Sequence, residues 1–168
     1  MSNFIKISNS IKPFNKSIKI EGDKSLSIRW ALLASQAKGK STCLNLLRSE
    51  DVINTLKCLK KLGIKYKLLK NACEITGNGL NGFRYKKNIT LDARNSGTLG
   101  RLILGLLVHS KKEITIKGDS SLSKRDFKRV IDPLKKFGAK FKTNFGKLPI
   151  VIERTENPKS ITYNENKL

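Results

Sequence analysis

An internal repeat constrains the fold of this 168-residue chain more than any other feature. Residues 51–67 align without a gap on residues 126–142, and the Leu-Lys-Lys run of both segments leads to a glycine. Gly63 and Gly138 hold the same place in the two segments, where a glycine typically ends a helix. A repeat of this length predicts one supersecondary unit used twice, with the copies stacked around a shared core. Chance similarity between lysine-rich amphipathic helices is the alternative.

Hydrophobic periodicity predicts an α/β fold, with the order strand, helix, strand, helix, strand in each copy. The first helix of each copy is apolar on more than one face, so we expect it to be buried on most sides. The second helix is amphipathic and is expected at the surface, with Pro133 kinking the second copy of it. In the first copy we predict an extended run at 17–20, helices at 26–37 and 51–62, strands at 42–46, 64–68 and 73–76, and a loop at 77–82. In the second copy we predict strands at 89–93, 113–117, 139–143 and 149–153 and helices at 97–108 and 124–137.

Two strand-to-helix turns carry residues suited to binding an anion. The segment Gly22–Arg29 combines a glycine, a lysine and two serines with an arginine one turn into the helix, and Asn95–Arg101 repeats the arrangement. Unpaired backbone N–H groups at a helix start attract phosphate and carboxylate groups. Lys24 adds a point charge and Arg29 a planar set of donors. The alternative is that these polar residues only cap helices whose basic side chains are solvated.

The formal net charge of +22 makes nucleic acid the first partner to consider. The lysines are spread over every segment instead of forming one stripe, and Ile and Asn are abundant too. An A/T-rich coding sequence favours these three residues, so part of the charge reflects composition. The chain shows no helix-turn-helix, zinc-knuckle or RNP-type aromatic signature. We therefore treat nucleic-acid binding as an unfavoured alternative.

Cysteine and histidine usage argues against disulfide frameworks and metal sites. Cys43, Cys58 and Cys73 form no CxxC pair and are odd in number, which is typical of free thiols in a reducing compartment. His109 is the only histidine, so a histidine-based metal site has nothing to build on. We see no signal peptide and no run long enough to span a bilayer, and we expect a cytoplasmic protein without membrane contact.

Three segments, in order, resemble the signature segments of the 5-enolpyruvylshikimate-3-phosphate synthase family. They are Gly22–Arg29, Asn95–Arg101 and Gly118–Arg125, and the resemblance covers almost the whole chain. It implies two domains of three β-α-β-α-β-β units each, an inside-out α/β barrel type with buried helices. It also implies transfer of the enolpyruvyl group of phosphoenolpyruvate to the 5-hydroxyl of shikimate 3-phosphate, with release of phosphate. No metal or cofactor is implied.

The resemblance also implies which residues bind the two substrates. Two multiply charged anions must be brought together, so a site of this kind needs cations and N–H donors. The implied contacts are Lys24 to both substrates, Ser25 and Arg29 to shikimate 3-phosphate, Asn95, Gly97 and Arg125 to phosphoenolpyruvate, and Thr98 and Arg101 in support.

Several positions depart from the family pattern. Glu21 stands where proline is usual, Arg94 where glycine is usual, and Asp126 where proline follows the arginine of the third segment. An acid next to Arg125 would partly neutralise the charge meant for phosphoenolpyruvate, so we expect Asp126 to weaken binding.

The length also departs from the family, whose members are more than twice as long. We expect one incomplete domain over 1–168, with a first repeat at 18–84, a second at 85–157 and the start of a third at 158–168. The expected protein is a truncated or split N-terminal part, inactive alone, with apolar surface exposed where the rest would stack. A separate C-terminal half is a candidate partner.

Two rival functions follow from the same residues. UDP-N-acetylglucosamine enolpyruvyl transferases share the implied fold and chemistry, but we find no match to their Lys-Asn pair or cysteine loop. A noncatalytic basic chain that binds nucleic acid or another polyanion is the alternative from a different class, and steep salt dependence would reveal it.

Overall fold

The computed structural model describes residues 6, 8, 10, 12–13, 15–86, 88–155 and 158–164. Helices and strands follow along them in this order: α1 (Lys24–Gln36), β1 (Lys38–Leu44), α2 (Glu50–Lys61), β2 (Lys65–Leu68), β3 (Ala72–Asn78), β4 (Ile89–Asp92), α3 (Gly97–Leu106), β5 (Ile114–Lys117), α4 (Ser120–Ser123), α5 (Lys128–Lys136), β6 (Phe141–Asn144) and β7 (Lys147–Ile152). The predicted α/β class is confirmed. The expected third repeat at 158–168 extends past the described residues.

The strands form two open sheets that are built alike. The first has the strand order β1-β3-β2 and the second β4-β5-β7-β6, so the antiparallel arrangement β1-β3-β2 recurs as β5-β7-β6. Gly63 and Gly138 both adopt a positive φ, of 85° and 101°, just after α2 and α5. Both glycines therefore end their helices as predicted. Within the described ranges the sheets do not close into a barrel.

The second sheet has one strand that the first sheet lacks. β4 pairs in parallel with β5, from Ile89 opposite Ile114 to Asp92 opposite Lys117. The corresponding segment before α1, residues 17–20, was predicted as extended but belongs to neither sheet. β1 consequently lies at the edge of its sheet, paired only with β3 among the described strands.

The helix predicted over 124–137 begins later in the structure. Helix α5 starts only at Lys128, and the short helix α4 precedes the predicted bounds. Pro133 lies inside α5, and the kink expected there stays a prediction. The reason for the later start lies in Phe127, which points into the core at 0% exposure while its backbone N–H donates to Gly146 O at 2.9 Å. This bond ties the segment to the β6–β7 turn and takes it out of helical geometry.

The core lies between the helices and the inner faces of the two sheets. Ile28, Leu56, Leu104 and Ile150 are among the residues without solvent exposure. Helix α1 buries Ile28, Ala31, Leu32 and Ala34 as predicted, but Leu26 is 62% exposed and Leu33 68%. These two residues lie two helical turns apart on one side of α1, which is thus apolar but open to solvent.

Helix α2 connects the two sheets through hydrogen bonds to β4. The Asn54 amide and the Cys58 thiol both donate to the Asp92 carbonyl. Lys61 Nζ donates to Thr90 O at 2.8 Å. The surface helix predicted from its amphipathic pattern therefore also joins the halves of the chain. None of the helices in the described ranges is long and apolar enough to cross a bilayer.

Candidate functional site

The three signature segments all lie where a helix begins, and the same kind of side-chain cap holds each one. Asp23 accepts from Leu26 N at 2.7 Å, Ser96 from Leu99 N at 3.3 Å and Asp119 from Leu122 N at 2.8 Å. Each cap satisfies one N–H group of the first turn and leaves others of that turn without a helical partner. These turns can therefore offer backbone donors to an anion.

Two arginines converge on Gly97, the first residue of α3. A Cβ atom on this glycine would lie 2.8 Å from Arg101 Nη1 and 3.2 Å from Arg125 Nη1. Any larger residue would therefore push the guanidinium groups aside. Two cations held this close repel each other, and an anion between them removes that repulsion while accepting charge-assisted hydrogen bonds. The arrangement is that of a carboxylate- or phosphate-binding site.

Arg101 is held in place from below. Its guanidinium carbon lies 5.1 Å from the centroid of the buried Phe127 ring, and its Nη2 donates to Asp126 O at 3.3 Å. Sequence reasoning missed Phe127 as part of the site. The repeat contained a signal, because Phe127 aligns on the buried Val52.

Arg125, by contrast, is exposed. Its side chain makes no hydrogen bond or ion pair with any residue in the described ranges. Its donors are therefore available to a ligand.

Asp126 forms no ion pair with Arg125 in the described part of the chain, and its expected effect on phosphoenolpyruvate binding stays a prediction. The Asp126 Oδ1 atom instead accepts from Lys128 N at 2.5 Å, at the start of α5. The carboxylate is engaged with backbone because Phe127 turns the chain between α4 and α5.

Arg94 occupies a backbone conformation that explains the glycine usual at its position. Its φ is +51°, in the left-handed region that L residues other than Asn and Asp adopt at a cost of about 1–2 kcal/mol. The loop is fixed on both sides, since Arg94 N donates to Asp92 Oδ1 at 2.9 Å and Asp119 N donates to Arg94 O at 2.8 Å. The loops before α3 and α4 thus hold each other in position.

Asp92 anchors this loop to the sheet. Its carboxylate lies 3.3 Å from Lys117 Nζ, its neighbour on β5. Partial burial acts to raise the pKa of Asp92, but the hydrogen bonds from Arg94 N and the Lys117 ammonium outweigh it, and the pKa is lowered. The ionised form therefore stabilises the strand that leads to Gly97.

In the first signature segment, Gly22–Arg29, one predicted cation is already paired with a carboxylate and the other is exposed. Lys24 Nζ lies 3.1 Å from Asp51 Oδ2, so its charge is partly balanced. Arg29 is exposed, without a side-chain hydrogen bond or ion pair to the described residues, and Ser25 is half-buried. The three atoms nearest to a Cβ built on Gly97 belong to Arg101, Arg125 and Leu122, and none belongs to Arg29.

Sequence reasoning missed the contact of Asp51 with Lys24. The alignment of Asp51 on Asp126, next to a predicted site residue, was the available signal. Of the remaining predicted residues, Asn95 is exposed and Thr98 half-buried, both within three residues of Gly97. The described residues contain no cluster of His, Cys, Asp or Glu suited to a metal ion.

Comparisons with known proteins show which family the chain resembles along its length. The family model for EPSP synthase (3-phosphoshikimate 1-carboxyvinyltransferase) matches residues 8–167. A 3-phosphoshikimate 1-carboxyvinyltransferase of Ruthia magnifica subsp. Calyptogena magnifica is 41% identical over 97% of this chain, and one of Streptococcus suis is 38% identical over 95%. Among solved structures, EPSP synthase from Acinetobacter baumannii superposes with a TM-score of 0.81 at 32% identity over 87% of this chain.

The chain is short beside these relatives. It spans 37% of the Ruthia magnifica protein, 38% of the Streptococcus suis protein and 33% of the Acinetobacter baumannii chain. The match nevertheless includes all three signature segments and both sheets. The chain belongs to the EPSP synthase family.

Proposed function

We propose that this chain supplies substrate-binding elements of a 3-phosphoshikimate 1-carboxyvinyltransferase. Such an enzyme transfers the enolpyruvyl group of phosphoenolpyruvate to the 5-hydroxyl of shikimate 3-phosphate and releases phosphate. The observation that carries the proposal is the convergence of Arg101 and Arg125 on the bare backbone of Gly97. Family membership supplies the identity of the substrates.

Phosphoenolpyruvate is the substrate that we assign to the Gly97 site. Arg125 would bind one of its anionic groups, and Arg101, fixed by Phe127, would hold the second guanidinium beside it. Asn95 and the first N–H groups of α3 complete the donors. A hydrogen bond to a charged group contributes about 1.5–3 kcal/mol, so one such bond from each arginine contributes about 3–6 kcal/mol toward binding.

Shikimate 3-phosphate is assigned to the first segment. Ser25 and Arg29 would bind it, and Lys24 would lie between the two substrates. The ion pair with Asp51 holds the Lys24 ammonium near the start of α1 in the free protein. A dianionic phosphate competes well with one carboxylate for an exposed ammonium, so the pair can open when substrate binds.

The chain spans just over a third of the relatives' length, and this coverage supports a proposal about which parts of the complete transferase lie in it. We propose that residues 18–84 and 85–157 are successive copies of one unit and that 158–168 begin a third, with β1-β3-β2 and β5-β7-β6 as the supporting likeness. Proton transfer would come from groups outside the printed sequence, in the same polypeptide or in a separate C-terminal half. We propose a cytoplasmic setting, supported by three free cysteines.

A chimera tests the function without relying on this chain alone. Residues 8–167 would replace the matched segment of the Ruthia magnifica relative, and phosphate release from both substrates would be measured. We expect turnover, with the KM for phosphoenolpyruvate raised at least about tenfold by Arg125→Ala. Arg129→Ala, which removes another exposed arginine four residues away, is the matched control and should leave KM unchanged.

The same chimera separates the proposal from its rival. A folded chimera without turnover, or equal losses from both arginine variants, would contradict the transferase assignment. Binding of the unaltered chain to RNA or polyphosphate with a steep salt dependence, and no saturable binding of phosphoenolpyruvate, would favour the polyanion alternative.

A further inference from the structure

Two of the three cysteines face each other across neighbouring strands. The antiparallel register of β1 and β3 places Cys43 directly opposite Cys73. Two residues further along, Asn45 N donates to Asn71 O at 3.1 Å, and at the other end Gly79 N donates to Ala37 O at 2.9 Å. Hydrogen-bonded pairs recur at every second position, so Cys43 and Cys73 form such a pair.

The Cα spacing of this position lies within the range of disulfides, but its Cβ spacing is longer. Opposite residues in a sheet have Cβ atoms about 4.5–5.5 Å apart, against about 3.5–4.5 Å in a disulfide, so the two strands must shift toward each other for the bond to form. Residues in a hydrogen-bonded antiparallel pair have Cα atoms about 5.5 Å apart and side chains on the same face of the sheet. Disulfides most often join Cα atoms about 5.5–6 Å apart. Both thiols are free in the structure, and each one is near enough to the other that Cys43 raises the pKa of Cys73.

The two thiols differ in how a reagent can reach them. Cys43 is half-buried and lines an open cleft of about 280 Å³ together with Gly22, Ser27 and Trp30. Cys73 is fully buried behind it. The third cysteine, Cys58, lies on α2 and donates to a carbonyl of β4. Of the three cysteines, Cys43 is therefore the one that is reachable from solvent and also lies opposite a second thiol, that of Cys73 on the neighbouring strand.

We propose that Cys43 and Cys73 are a redox-active pair that closes to a disulfide by exchange with a low-molecular-weight disulfide such as glutathione disulfide. The Cys43 thiolate attacks one glutathione sulfur, the glutathione S–S bond breaks, and one glutathione leaves with the proton. The Cys73 thiolate then attacks Cys43 Sγ and displaces the second glutathione. Two protein thiols are oxidised and one glutathione disulfide is reduced to two thiols.

The pair lies beneath the first signature segment. Just past Cys43, the Asn45 side chain donates to Ile20 O at 3.2 Å, and Leu47 N donates to Ser27 Oγ at 3.1 Å. The end of β1 thus holds the loop from which α1 starts. The inference does not rest on the proposed function, because it concerns the chemistry of the ladder alone.

Burial sets the rate of closure. Desolvation, followed by the neighbouring Cys43 thiol, raises the pKa of Cys73 to about 11. Arg48 acts to lower this pKa, and Glu74, the smallest of the four causes, acts to raise it. Burial also raises the pKa of Cys43. The thiolate is the attacking species, so closure is slow at neutral pH and accelerates as the pH rises toward 9.

Peptide mapping tests the pair. The folded 168-residue chain is incubated with glutathione disulfide at pH 8.5, free thiols are alkylated, and tryptic peptides are weighed. We expect peptides 41–48 and 71–84 joined by a disulfide, both in the unaltered chain and in Cys58→Ser. In the Cys73→Ser variant the reaction should stop at a mixed disulfide between Cys43 and glutathione. In the Cys43→Ser variant Cys73 should stay unmodified.

A denatured sample shows whether the fold directs the pairing. In urea we expect a mixture of products, in which Cys58 is joined to Cys43 in some molecules and to Cys73 in others. The folded chain should give the Cys43–Cys73 disulfide alone. Absence of this link from the folded chain, a link to Cys58 there, or the same set of products in both samples would overturn the proposal.

Discussion

The two halves of the chain share a sheet arrangement but differ at the start of their first helices. In the second half, β4 leads directly into the loop before α3, and Ala93 N donates to Lys117 O at 2.8 Å on the neighbouring strand. In the first half the described residues before α1 join no sheet, and the Asn45 side chain donates a hydrogen bond to them at Ile20 O. The loop that carries Gly97 is therefore anchored on both sides, and the loop that carries Lys24 mainly on one.

The cations of the two halves differ in the same way. Arg101 and Arg125 converge above Gly97, with Arg101 fixed on an aromatic ring, whereas Lys24 is paired with Asp51 and Arg29 extends into solvent. A site whose donors are already placed spends little conformational entropy on binding. The comparison suggests that the second half is prepared for its anion and that the first half rearranges around its own.

Removal of the ring beneath Arg101 should have the largest effect. Phe127→Ala leaves a cavity at a position with no solvent exposure, and we expect a loss of about 3–5 kcal/mol in the free energy of unfolding. Urea denaturation followed by circular dichroism measures it. Phe145→Ala is the matched control, because Phe145 is 84% exposed and should change stability by less than about 0.5 kcal/mol. Equal losses from the two variants would show that the second half is not packed as described.

A methyl group at Gly97 should affect binding more than stability. In Gly97→Ala the new atom displaces the ends of two flexible arginines, and we expect at least about tenfold weaker binding of phosphoenolpyruvate by calorimetry. The free energy of unfolding should rise by less than about 1 kcal/mol, as expected for Gly→Ala in a helix. Gly105→Ala on the same helix meets no atom within 4 Å and should leave binding unchanged. If both variants bind alike, the arginine pair does not hold the anion.

The anchor of the second loop should be sensitive to acid. The pKa of Asp92 is lower in the folded chain than in the unfolded one, so its stabilisation is present above the ordinary aspartate pKa and is lost as the pH falls through the lowered value. Asp92→Asn should cost about 1 kcal/mol at pH 7 and show a shallower loss of stability below pH 4. Asp132→Asn, at an exposed carboxylate outside the described ion pairs, should follow the unaltered chain. Parallel acid profiles for all three proteins would contradict the anchor.

The Lys24–Asp51 pair should contribute least. Lys24 is 52% exposed, so we expect Asp51→Asn to reduce the free energy of unfolding by only about 0.5 kcal/mol. Glu74→Gln, which breaks the similarly exposed pair with Lys40, should have a comparable effect. A loss above 2 kcal/mol for Asp51→Asn alone would mean that the first loop is as firmly anchored as the second.

Much of the fold could be predicted because its signals are local. The amphipathic α2 and the helix ends at Gly63 and Gly138 depend on neighbouring residues, and the structure confirms them. The break between α4 and α5 could not be predicted, since it depends on a bond from Phe127 to the distant turn at Gly146. The extended run predicted at 17–20 joins neither sheet of the described residues, because sheet pairing requires a partner strand.

The site was predictable in its residue types but not in its electrostatics. The signature segments identified the cations, and the helix starts followed from their caps. The Lys24–Asp51 pair and the ring under Arg101 join residues 26 or more positions apart, which no local pattern reveals. The roles of Lys24, Ser25, Arg29, Asn95 and Arg125 toward substrate stay predictions.

The hydrogen bonds from α2 to β4 have a consequence for how the chain comes apart. Asn54, Cys58 and Lys61 belong to the first half, but the carbonyl groups that they bind belong to the second. Neither half can melt without stripping partners from the other, so heat or denaturant should act on both at once. Because of these α2–β4 hydrogen bonds, we expect the chain to unfold in a single cooperative transition and not by stepwise loss of its repeats.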